Sequence, residues 1–426
     1  MRAPPTREPD GAAAVRVLVP YILTHGGGVR SVLRAALPRL SARPDVQLTY
    51  AELCRNDTDM DALEREGVRV DRDAGLPGPA ALSRRAGWRR ALDLAGQALR
   101  LLRLARRLSR RLGAYDVCWV HGHRELLLAI AARALAGSRT PAIVWHWHGP
   151  PLSLSAGARG SRAGRVVARL GALGCARVIA ISEFCARQTA LMGVAPRRVV
   201  TVLNAASAGG TRAGAPEAAL PARPAGAFVS LVACAALRPH KGVHLAVQAL
   251  RHLPANHVLW VTGDPGDPGA RGYVAELRKA AAEAGAEERL WLLGARRDVH
   301  RVMSHADVVV VPSVWEEPFG LVAAEAQLLG VPVIASRRGA LPELVRYGEL
   351  GLVFDPEDPR ALAAAVLRLA EDPAERARLA EAARRQAPRR YGCERWCDEV
   401  VAVLRGVARR TATDRDRVSA RRCSTA

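Results

Sequence analysis

The sequence DVVVVPSVWEEPFGLVAAEA, at residues 307–326, decides the fold of this chain. Its run of valines, residues 308–311, is apolar on both faces, which is typical of a parallel β-strand covered by helices on each side. A turn follows, and a helical segment begins near Gly320. A buried strand that leads through a turn into a helix is the repeating unit of a doubly wound α/β domain. Such domains bind ligands at the carboxyl ends of their strands.

Apolar, β-branched segments alternate with longer Ala-, Leu- and Arg-rich segments of helical period along the rest of the chain. This alternation predicts two doubly wound, Rossmann-like domains that face a central cleft. We place strands of the first domain at residues 15–22, 46–53, 68–71, 116–121, 142–148, 177–182 and 198–203. We place strands of the second domain at residues 228–233, 257–262, 289–293, 307–312 and 331–336.

The boundary between the domains is visible in the composition. Residues 205–227 contain Ala, Gly, Pro and Ser without periodicity, which indicates a linker. The first domain then comprises residues 15–204, and the second comprises residues 228–390. A final helix at residues 391–410 is expected to pack back toward the first domain, and residues 411–426 are expected to form a disordered, charged tail.

The overall composition predicts a cytoplasmic protein with a large positive charge. Its 426 residues exceed what one hydrophobic core usually serves, and no apolar run approaches the roughly 20 residues of a membrane-spanning helix. The N-terminus lacks the features of a secretory signal, and the eight cysteines contain no CxxC pair, so reduced thiols are expected. The net charge of +22 favours anionic partners. Nucleic acid is not expected among them, because aromatic residues make up only 4% and no recognition motif is present.

Two glutamates of the opening stretch, Glu317 and Glu325, are candidate sugar-binding residues. Glu317 precedes the helix, and Glu325 lies about two turns inside it. A carboxylate only accepts hydrogen bonds, so each can hold a vicinal diol, one on a ribose and the other on a hexose. Gly320 lets the backbone approach a ligand closely, and the free N–H groups of the helix start favour a diphosphate. Two solvated acids at a helix start are the alternative interpretation.

The segment from Glu317 to Glu325 resembles the E-x7-E signature of glycosyltransferase family 4, a family of retaining enzymes with the GT-B fold. Further motifs similar to those of the family occur in the same order along nearly the whole chain, at residues 26–28, 148–150, 181–184, 204, 238–242, 263–264, 294–299 and 339–343. The resemblance implies a GT-B fold, with an acceptor-binding first domain and a nucleotide-sugar-binding second domain. It also implies a hexosyltransferase activity.

The resemblance assigns roles to individual residues of the donor site. Glu325 would hold the ribose hydroxyls and Glu317 the transferred sugar, while His148 would contact the sugar near its anomeric carbon. Residues 294–297, which include Arg296, would lie near the base. Backbone N–H groups would be offered to the diphosphate by Phe319, Gly320 and Leu321.

Lys241 is a candidate phosphate-binding residue. Only Lys241 and Lys279 are lysines among 63 basic residues, which indicates that position 241 requires a compact ammonium group. The family usually has an arginine five residues earlier, where this chain has Ala236, and we expect Arg238 to reach the phosphate in its place. Nothing in the sequence resembles a cluster of metal-binding carboxylates. In agreement with the family, we expect a metal-independent site without a cofactor.

The first domain contributes two further candidates. Gly27 and Gly28 open a helix after the first strand, and in the family the equivalent turn lies against the donor phosphates. His148 ends a strand at the edge of the cleft. A structural role is its alternative, because His146 and His148 alternate with tryptophans along that strand.

Residues 84–112 have the pattern of a basic amphipathic helix, with an apolar stripe and many arginines elsewhere. Such a helix can lie on an anionic membrane, but it can also pack its stripe on the sheet of its own domain, and the second interpretation is favoured. Peripheral contact with the inner face of the membrane is therefore the alternative to a purely cytoplasmic location.

The expected reaction is the transfer of a sugar from a nucleotide-sugar, with UDP-N-acetylglucosamine as the leading donor. The expected acceptor is a small hydroxylated natural product such as an aminoglycoside intermediate, and residues 54–60 and 150–165 are expected to shape its site. Transfer to a lipid-linked or cell-envelope glycan is one alternative, and epimerisation of a nucleotide-sugar is another. The resemblance implies a front-face displacement that retains the α configuration of the donor.

Overall fold

The computed structural model describes residues 14–21, 28–52, 57–72, 88–137, 140–149, 169, 171, 173–208, 219–220, 222–266 and 268–423. Within these residues, the chain forms two sheets in which every paired strand is parallel.

The first sheet has seven strands among the described residues. They are β1 (Val15–Tyr21), β2 (Val46–Glu52), β3 (Arg69–Asp71), β4 (Val117–Val120), β5 (Ala142–Trp147), β6 (Arg177–Ala180) and β7 (Val199–Thr201). The helices of this domain are α1 (Gly28–Ser41), α2 (Asp57–Arg65), α3 (Trp88–Leu112), α4 (His123–Ala136) and α5 (Glu183–Leu191). The strand order is β3-β2-β1-β4-β5-β6-β7, so the winding reverses between β1 and β4.

The second sheet has six strands in the described part of the chain. They are β8 (Phe228–Ala236), β9 (His257–Asp264), β10 (Leu290–Gly294), β11 (Val308–Val311), β12 (Val333–Ser336) and β13 (Gly351–Phe354). The helices are α6 (Val243–Ala249), α7 (Pro268–Glu283), α8 (Val299–Ser304), α9 (Leu321–Leu328), α10 (Leu341–Leu344), α11 (Pro359–Glu371) and α12 (Pro373–Tyr391). The order is β10-β9-β8-β11-β12-β13, with the reversal between β8 and β11.

This architecture confirms the prediction of two doubly wound, Rossmann-like domains. A strand lies at each position where the sequence predicted one, because apolar runs that are covered on both faces are a strong local signal. The sequence did not predict β13. Its four residues begin with Gly351 and contain a single β-branched residue, Val353, so their composition is not typical of a strand.

The last helix, α13 (Cys393–Cys423), returns to the first domain. Trp396, Val400 and Leu404 are fully buried and pack into the core beside β1, β2 and α1. The helix also continues beyond residue 410. The disordered tail predicted for residues 411–426 is therefore wrong as far as Cys423, because residues 411–423 contain neither Pro nor Gly and continue the helical Arg- and Ala-containing sequence.

The side chains of helix α3 that the structure describes pack only in part as predicted. Leu104, Ala105, Leu108 and Leu112 are buried, so the C-terminal half of the stripe faces the core. Three leucines nearer the middle of the helix are exposed, namely Leu99, Leu101 and Leu102. None of the helices in the described ranges is both long enough and apolar enough to span a membrane.

Candidate active site

The segments around Lys241 and Glu317 lie side by side at the carboxyl edge of the second sheet. Lys241 follows β8 and Glu317 follows β11, and these neighbouring strands flank the point where the winding reverses. Ligands of open α/β sheets bind in the crevice at such a point. The backbone N–H of Val314 donates to the carbonyl of His240 at 3.0 Å, which joins the two loops.

Glu317 carries a buried carboxylate that two side chains hold. It is 7% exposed, and its Oε1 atom accepts hydrogen bonds from Ser313 Oγ at 2.7 Å and from Lys241 Nζ at 2.6 Å. The Lys241 side chain keeps 29% of its surface exposed, so its ammonium group neutralises Glu317 and remains within reach of a ligand. The two residues expected to bind the sugar and the phosphate are therefore in direct contact.

Helix α9 starts beside this carboxylate. Gly320 caps the helix with φ at +107°, a left-handed conformation that favours glycine, and a Cβ atom there would lie 2.6 Å from Leu341 Cδ2. Phe319 is buried with its ring centroid 5.9 Å from that of Tyr391. The N–H groups of Leu321 and Val322, the first two residues of the helix, have no acceptor inside it and lie at the positive end of its dipole. The expected backbone contacts at residues 319–321 thus lie where an anion can bind.

Helix α1 of the first domain approaches the same place. A Cβ atom at Gly28 would lie 2.9 Å from Leu321 Cδ1, so the first residues of α1 and α9 meet across the two domains. Two helix starts at one place favour a ligand with several negative charges, such as a diphosphate. Gly27 lies outside the described residues, as do residues 54–56 and 150–165 of the loops expected to shape the acceptor site.

Glu325 lies further along α9 and has a different partner. Its Oε2 atom is 3.5 Å from Nε2 of His300, a residue of α8. Both side chains are partly exposed, so a ligand can reach them. The sequence did not predict His300. The available signal was its position in the helix that follows the expected base-binding residues 294–297.

Arg296 lies after β10, as expected, but the structure gives it structural partners. Its Nε atom donates to Asp298 Oδ1 at 2.8 Å, and its Nη2 atom donates to Asp298 Oδ2 at 2.7 Å. Its Nη1 atom donates to the carbonyl of Ala219 at 3.3 Å. Arg296 thus ties the loop after β10 to the linker between the domains, and its contact with a base stays a prediction.

Arg238 begins the turn that carries the phosphate-binding candidate Lys241. Its charge contributes to a lowered pKa of His240, after the larger effects of burial and of Lys241. Ala236 is the last residue of β8. The replacement of the family arginine by Arg238 stays a prediction.

His148 belongs to a group of three neighbouring imidazoles. His121 follows β4, His146 lies in β5, and His148 follows the end of β5. Nδ1 of His121 and Nε2 of His148 are 2.9 Å apart, and the ring centroids of His146 and His148 stack at 4.4 Å. The structure brings His121 to His148 because β4 and β5 are adjacent.

These three imidazoles could hold a metal ion, since their ligating atoms lie within 4.8 Å of one another. Their orientation, however, suits a hydrogen bond. The ring centroids of His121 and His148 are 5.2 Å apart, which is the N···N distance of 2.9 Å plus the distance from each nitrogen to its own ring centre. In this arrangement the two nitrogens are at hydrogen-bond distance from each other, and the expectation of a site without a metal stays a prediction. The expectation of a metal-independent site rested on the lack of a carboxylate cluster in the sequence and on the family resemblance, and it did not consider the His-x-His pattern at residues 146–148.

His146 is enclosed by aromatic rings. Its ring centroid lies 5.7 Å from that of Trp119 and 5.8 Å from that of Trp396. Within the described residues, neither ring nitrogen has a hydrogen-bond partner. Burial lowers the pKa of His146 to about 3, so the ring stays neutral. The structural alternative considered for this strand fits His146, whereas His148 is only half-buried at the cleft.

Two family models match the two halves of the chain. The model described as Glycosyltransferase Family 4 matches residues 26–207, and the model described as Glycosyl transferases group 1 matches residues 229–386. The first match covers the first sheet with the turn before α1. The second covers the sheet that carries Lys241, Glu317 and Glu325.

Among curated proteins, the chain is similar to a D-inositol 3-phosphate glycosyltransferase of Xylanimonas cellulosilytica, with 41% identity over 166 residues. That alignment spans 38% of this chain and 38% of the relative. Spore coat protein SA of Bacillus subtilis is 30% identical over 169 residues, which are 38% of this chain and 45% of that protein. The chain thus matches less than half of the length of these relatives.

Among solved structures, Anabaena Alr3699/HepE in complex with UDP superposes with a TM-score of 0.73. The identity is 22%, and the superposition covers 92% of this chain and 100% of that one. The sucrose-phosphate synthase of Thermosynechococcus elongatus gives a TM-score of 0.69 at 20% identity, with coverage of 92% and 99%. At these identities the likeness shows a shared two-domain fold.

Proposed function

We propose that this chain, which belongs to glycosyltransferase family 4 and has the GT-B fold, transfers a hexose from a nucleotide-sugar to a hydroxyl group of an acceptor. The observation that carries the proposal is the contact between Glu317 and Lys241 beside the start of α9. It combines a carboxylate for sugar hydroxyls, a cation for phosphate and free backbone N–H groups in one crevice. A sugar diphosphate requires these three kinds of partner.

In the proposed reaction, the bond between the anomeric carbon and the phosphate oxygen breaks, and the acceptor oxygen forms its bond on the same face. Lys241 and the N-terminus of α9 stabilise the negative charge of the departing diphosphate without a metal ion. The departing phosphate takes the proton of the acceptor hydroxyl, so the α configuration is retained. Glu317 and His148 hold the transferred sugar, and Glu325 holds the ribose.

The leading donor is a UDP-sugar, with UDP-N-acetylglucosamine as the first choice. The support is the fold shared with Anabaena Alr3699/HepE, which has been solved with UDP and with UDP-glucose. A thermal-shift series with UDP-, GDP-, ADP- and TDP-sugars tests the choice, because a ligand that binds the native state raises Tm. If a sugar of another nucleotide raises Tm more than the UDP-sugars do, that nucleotide becomes the leading donor. If none of them raises Tm, the proposed donor site is contradicted.

The leading acceptor is a small polyhydroxylated compound, such as an aminoglycoside intermediate or a phosphorylated cyclitol. The name of the relatives, D-inositol 3-phosphate glycosyltransferase, supports this class. The anomeric coupling constant of the product, measured by NMR, should indicate an α linkage from an α donor, and a β product would contradict retention. Incubation without acceptor should slowly release free sugar, whereas a new nucleotide-sugar would indicate an epimerase.

A membrane-surface acceptor is the second candidate, and helix α3 is the observation that favours it. Leu99, Leu101 and Leu102 are 48%, 45% and 39% exposed, and the exposed Arg100 and Arg103 flank them. Apolar side chains among arginines suit the surface of an anionic bilayer.

Cosedimentation with vesicles tests this candidate. The variant Leu101→Glu should reduce binding to vesicles of anionic lipid. The matched control is Leu135→Glu, which changes an equally exposed leucine on α4 of the same domain and should bind as the wild type does. Equal binding of both variants, or no binding by the wild type, would count against a membrane acceptor.

A further inference from the structure

Glu343 belongs to a segment, residues 339–343, that resembles a family motif but is not used by the donor site described above. It lies in α10 of the second domain, and its carboxylate reaches the first domain. Oε1 accepts a hydrogen bond from the backbone N–H of Glu183 at 2.8 Å, and Oε2 accepts one from that of Phe184 at 2.9 Å. These N–H groups open α5, where no intrahelical acceptor exists for them. One carboxylate of the second domain therefore caps a helix of the first.

The same helix start also holds the loop that carries Glu317. Ser182, the N-cap of α5, is completely buried, and its Oγ atom donates to the carbonyl of Pro318 at 2.7 Å. The Cys185 thiol approaches the same carbonyl at 3.4 Å. Pro318 directly follows Glu317, so the first domain contacts the donor loop one residue from its central carboxylate.

From the other side, the donor loop is joined to the segment of Glu343. The backbone N–H of Gly339 donates to Glu316 Oε2 at 2.6 Å, and that of Ala340 donates to the carbonyl of Glu317 at 2.8 Å. A Cβ atom at Gly339 would lie 2.2 Å from the same carbonyl, so this approach requires glycine. The donor loop is thus enclosed between α5 and the segment 339–343.

The hydrogen bonds of Glu343 to the first domain can break and form again when the two domains separate and close. Its side chain is 13% exposed, and burial raises the pKa of its carboxyl group, although the two backbone hydrogen bonds act in the opposite direction. The guanidinium group of Arg187 is 3.8 Å from this carboxylate and largely exposed. The carboxylate therefore depends on the helix start of α5, and separation of the domains would return both to water.

We propose that Glu343 is a positioning residue, which caps α5 across the domain boundary and thereby sets the place of the Glu317 loop against the first domain. The proposal rests on the proposed glycosyl transfer, because it assigns Glu343 to the closed, reactive arrangement of that site. When the two domains close, the hydrogen bonds of Glu343 to α5 and of Ser182 to the Pro318 carbonyl form together. Glu317 therefore reaches its reactive position only when the first domain contacts the donor loop.

The direct test is hydrogen exchange of the amides of Glu183 and Phe184 in the full chain. The variant Glu343→Ala should exchange these two amides about tenfold faster than the wild type, because their acceptor is lost. The variant Glu343→Gln keeps the volume and one acceptor oxygen, and it should fall between the two. The matched control is Glu349→Gln, since Glu349 is exposed and its partners among the described residues, Arg346 and Gln386, belong to the second domain.

Binding and turnover complete the test. The variant Glu343→Ala should bind UDP within about twofold of the wild type and lower kcat about tenfold, with the donor KM nearly unchanged. If Glu343→Ala left the exchange of the amides at residues 183–184 unaltered, Glu343 would not cap α5. If it exchanged these amides faster but kept the wild-type kcat, Glu343 would not position Glu317. If the chain transfers no sugar at all, the exchange measurement still decides on the cap, while failure of the proposed function shows as absent turnover in the wild type.

Discussion

Replacement of Lys241 by methionine should weaken nucleotide binding far more than it weakens the fold. Methionine keeps an unbranched chain of similar length and removes only the charge and its hydrogen bonds. In the structure this deletes the 2.6 Å bond to Glu317 Oε1 and leaves the 2.7 Å bond from Ser313 to the same atom. The carboxylate, 7% exposed, keeps one of its two partners.

The magnitudes follow from this geometry. Breaking a fully buried ion pair costs about 3–5 kcal/mol, and because Lys241 is 29% exposed we expect a loss nearer to about 2 kcal/mol in the free energy of unfolding. A hydrogen bond between an ammonium group and a phosphate contributes about 1.5–3 kcal/mol, so the dissociation constant of UDP should rise about tenfold to a hundredfold.

Calorimetric titration with UDP and with UDP-N-acetylglucosamine measures the loss of affinity, and urea unfolding measures the loss of stability. The chain offers a matched control in its one other lysine. Lys279 is 79% exposed, and its single ion pair among the described residues is a weak one, at 3.8 Å from Glu283 on the same helix. Lys279→Met should therefore change neither the affinity for UDP nor the free energy of unfolding.

The double variant Lys241→Met with Glu317→Gln separates the two effects. Because it removes both charges of the pair, it should recover part of the lost stability but none of the lost affinity. The assignment of Lys241 to phosphate would be refuted if Lys241→Met bound UDP as tightly as Lys279→Met does.

Three further predictions concern the glycine beside Lys241, the ribose site and the buried imidazole. Gly242→Ala should destabilise the protein strongly, because φ is +69° and the new Cβ would lie 1.8 Å from the carbonyl oxygen of Pro312. Urea unfolding measures this loss. The control Gly406→Ala should be slightly more stable than the wild type, since no atom lies within 4 Å of the new Cβ at that helical site. Glu325→Gln should bind UDP about tenfold more weakly than the wild type does, whereas the two proteins should bind 2′-deoxy-UDP with nearly the same affinity. An equal loss of affinity for both nucleotides in calorimetry would contradict a ribose contact. His146 has a pKa lowered to about 3, so it takes up a proton on unfolding wherever the pH lies between that value and its ordinary pKa. In that window, acidification should lower the stability of the wild type relative to His146→Leu by about 1.4 kcal/mol per pH unit. Parallel pH profiles of the two proteins would contradict the neutrality of the buried ring.

Much of the fold could be predicted because its signals are local. The valine run of β11 and the other apolar strands are readable within windows of a few residues, and their alternation with helical segments determines a doubly wound topology. Short or ambiguous segments were less readable. The run of β13 begins with a glycine and contains a single β-branched residue. The stripe of α3 has the same pattern whether a leucine faces the core or the solvent.

The identities of the donor-site candidates were also readable from the sequence. Lys241 stands out in a chain that otherwise uses arginine almost throughout, and Glu317 stands out at a strand end before a glycine-capped helix. The family resemblance implied that Arg296 lies near the base of the donor. Its bonds to Asp298 are local, whereas its bond to Ala219 joins a loop to a linker 77 positions away, so only the structure could assign that contact.

What the sequence by itself determined was therefore the two parallel-sheet domains and the residues at the ends of their strands, because hydrophobic period and turn chemistry act over a few positions. The tertiary structure decided which of those residues meet. Glu317 pairs with Lys241 because β8 and β11 are neighbours in the sheet, and Glu343 caps α5 because the two domains are packed together. Such contacts join residues that are 76 and 160 positions apart, and no local pattern records the distance between them.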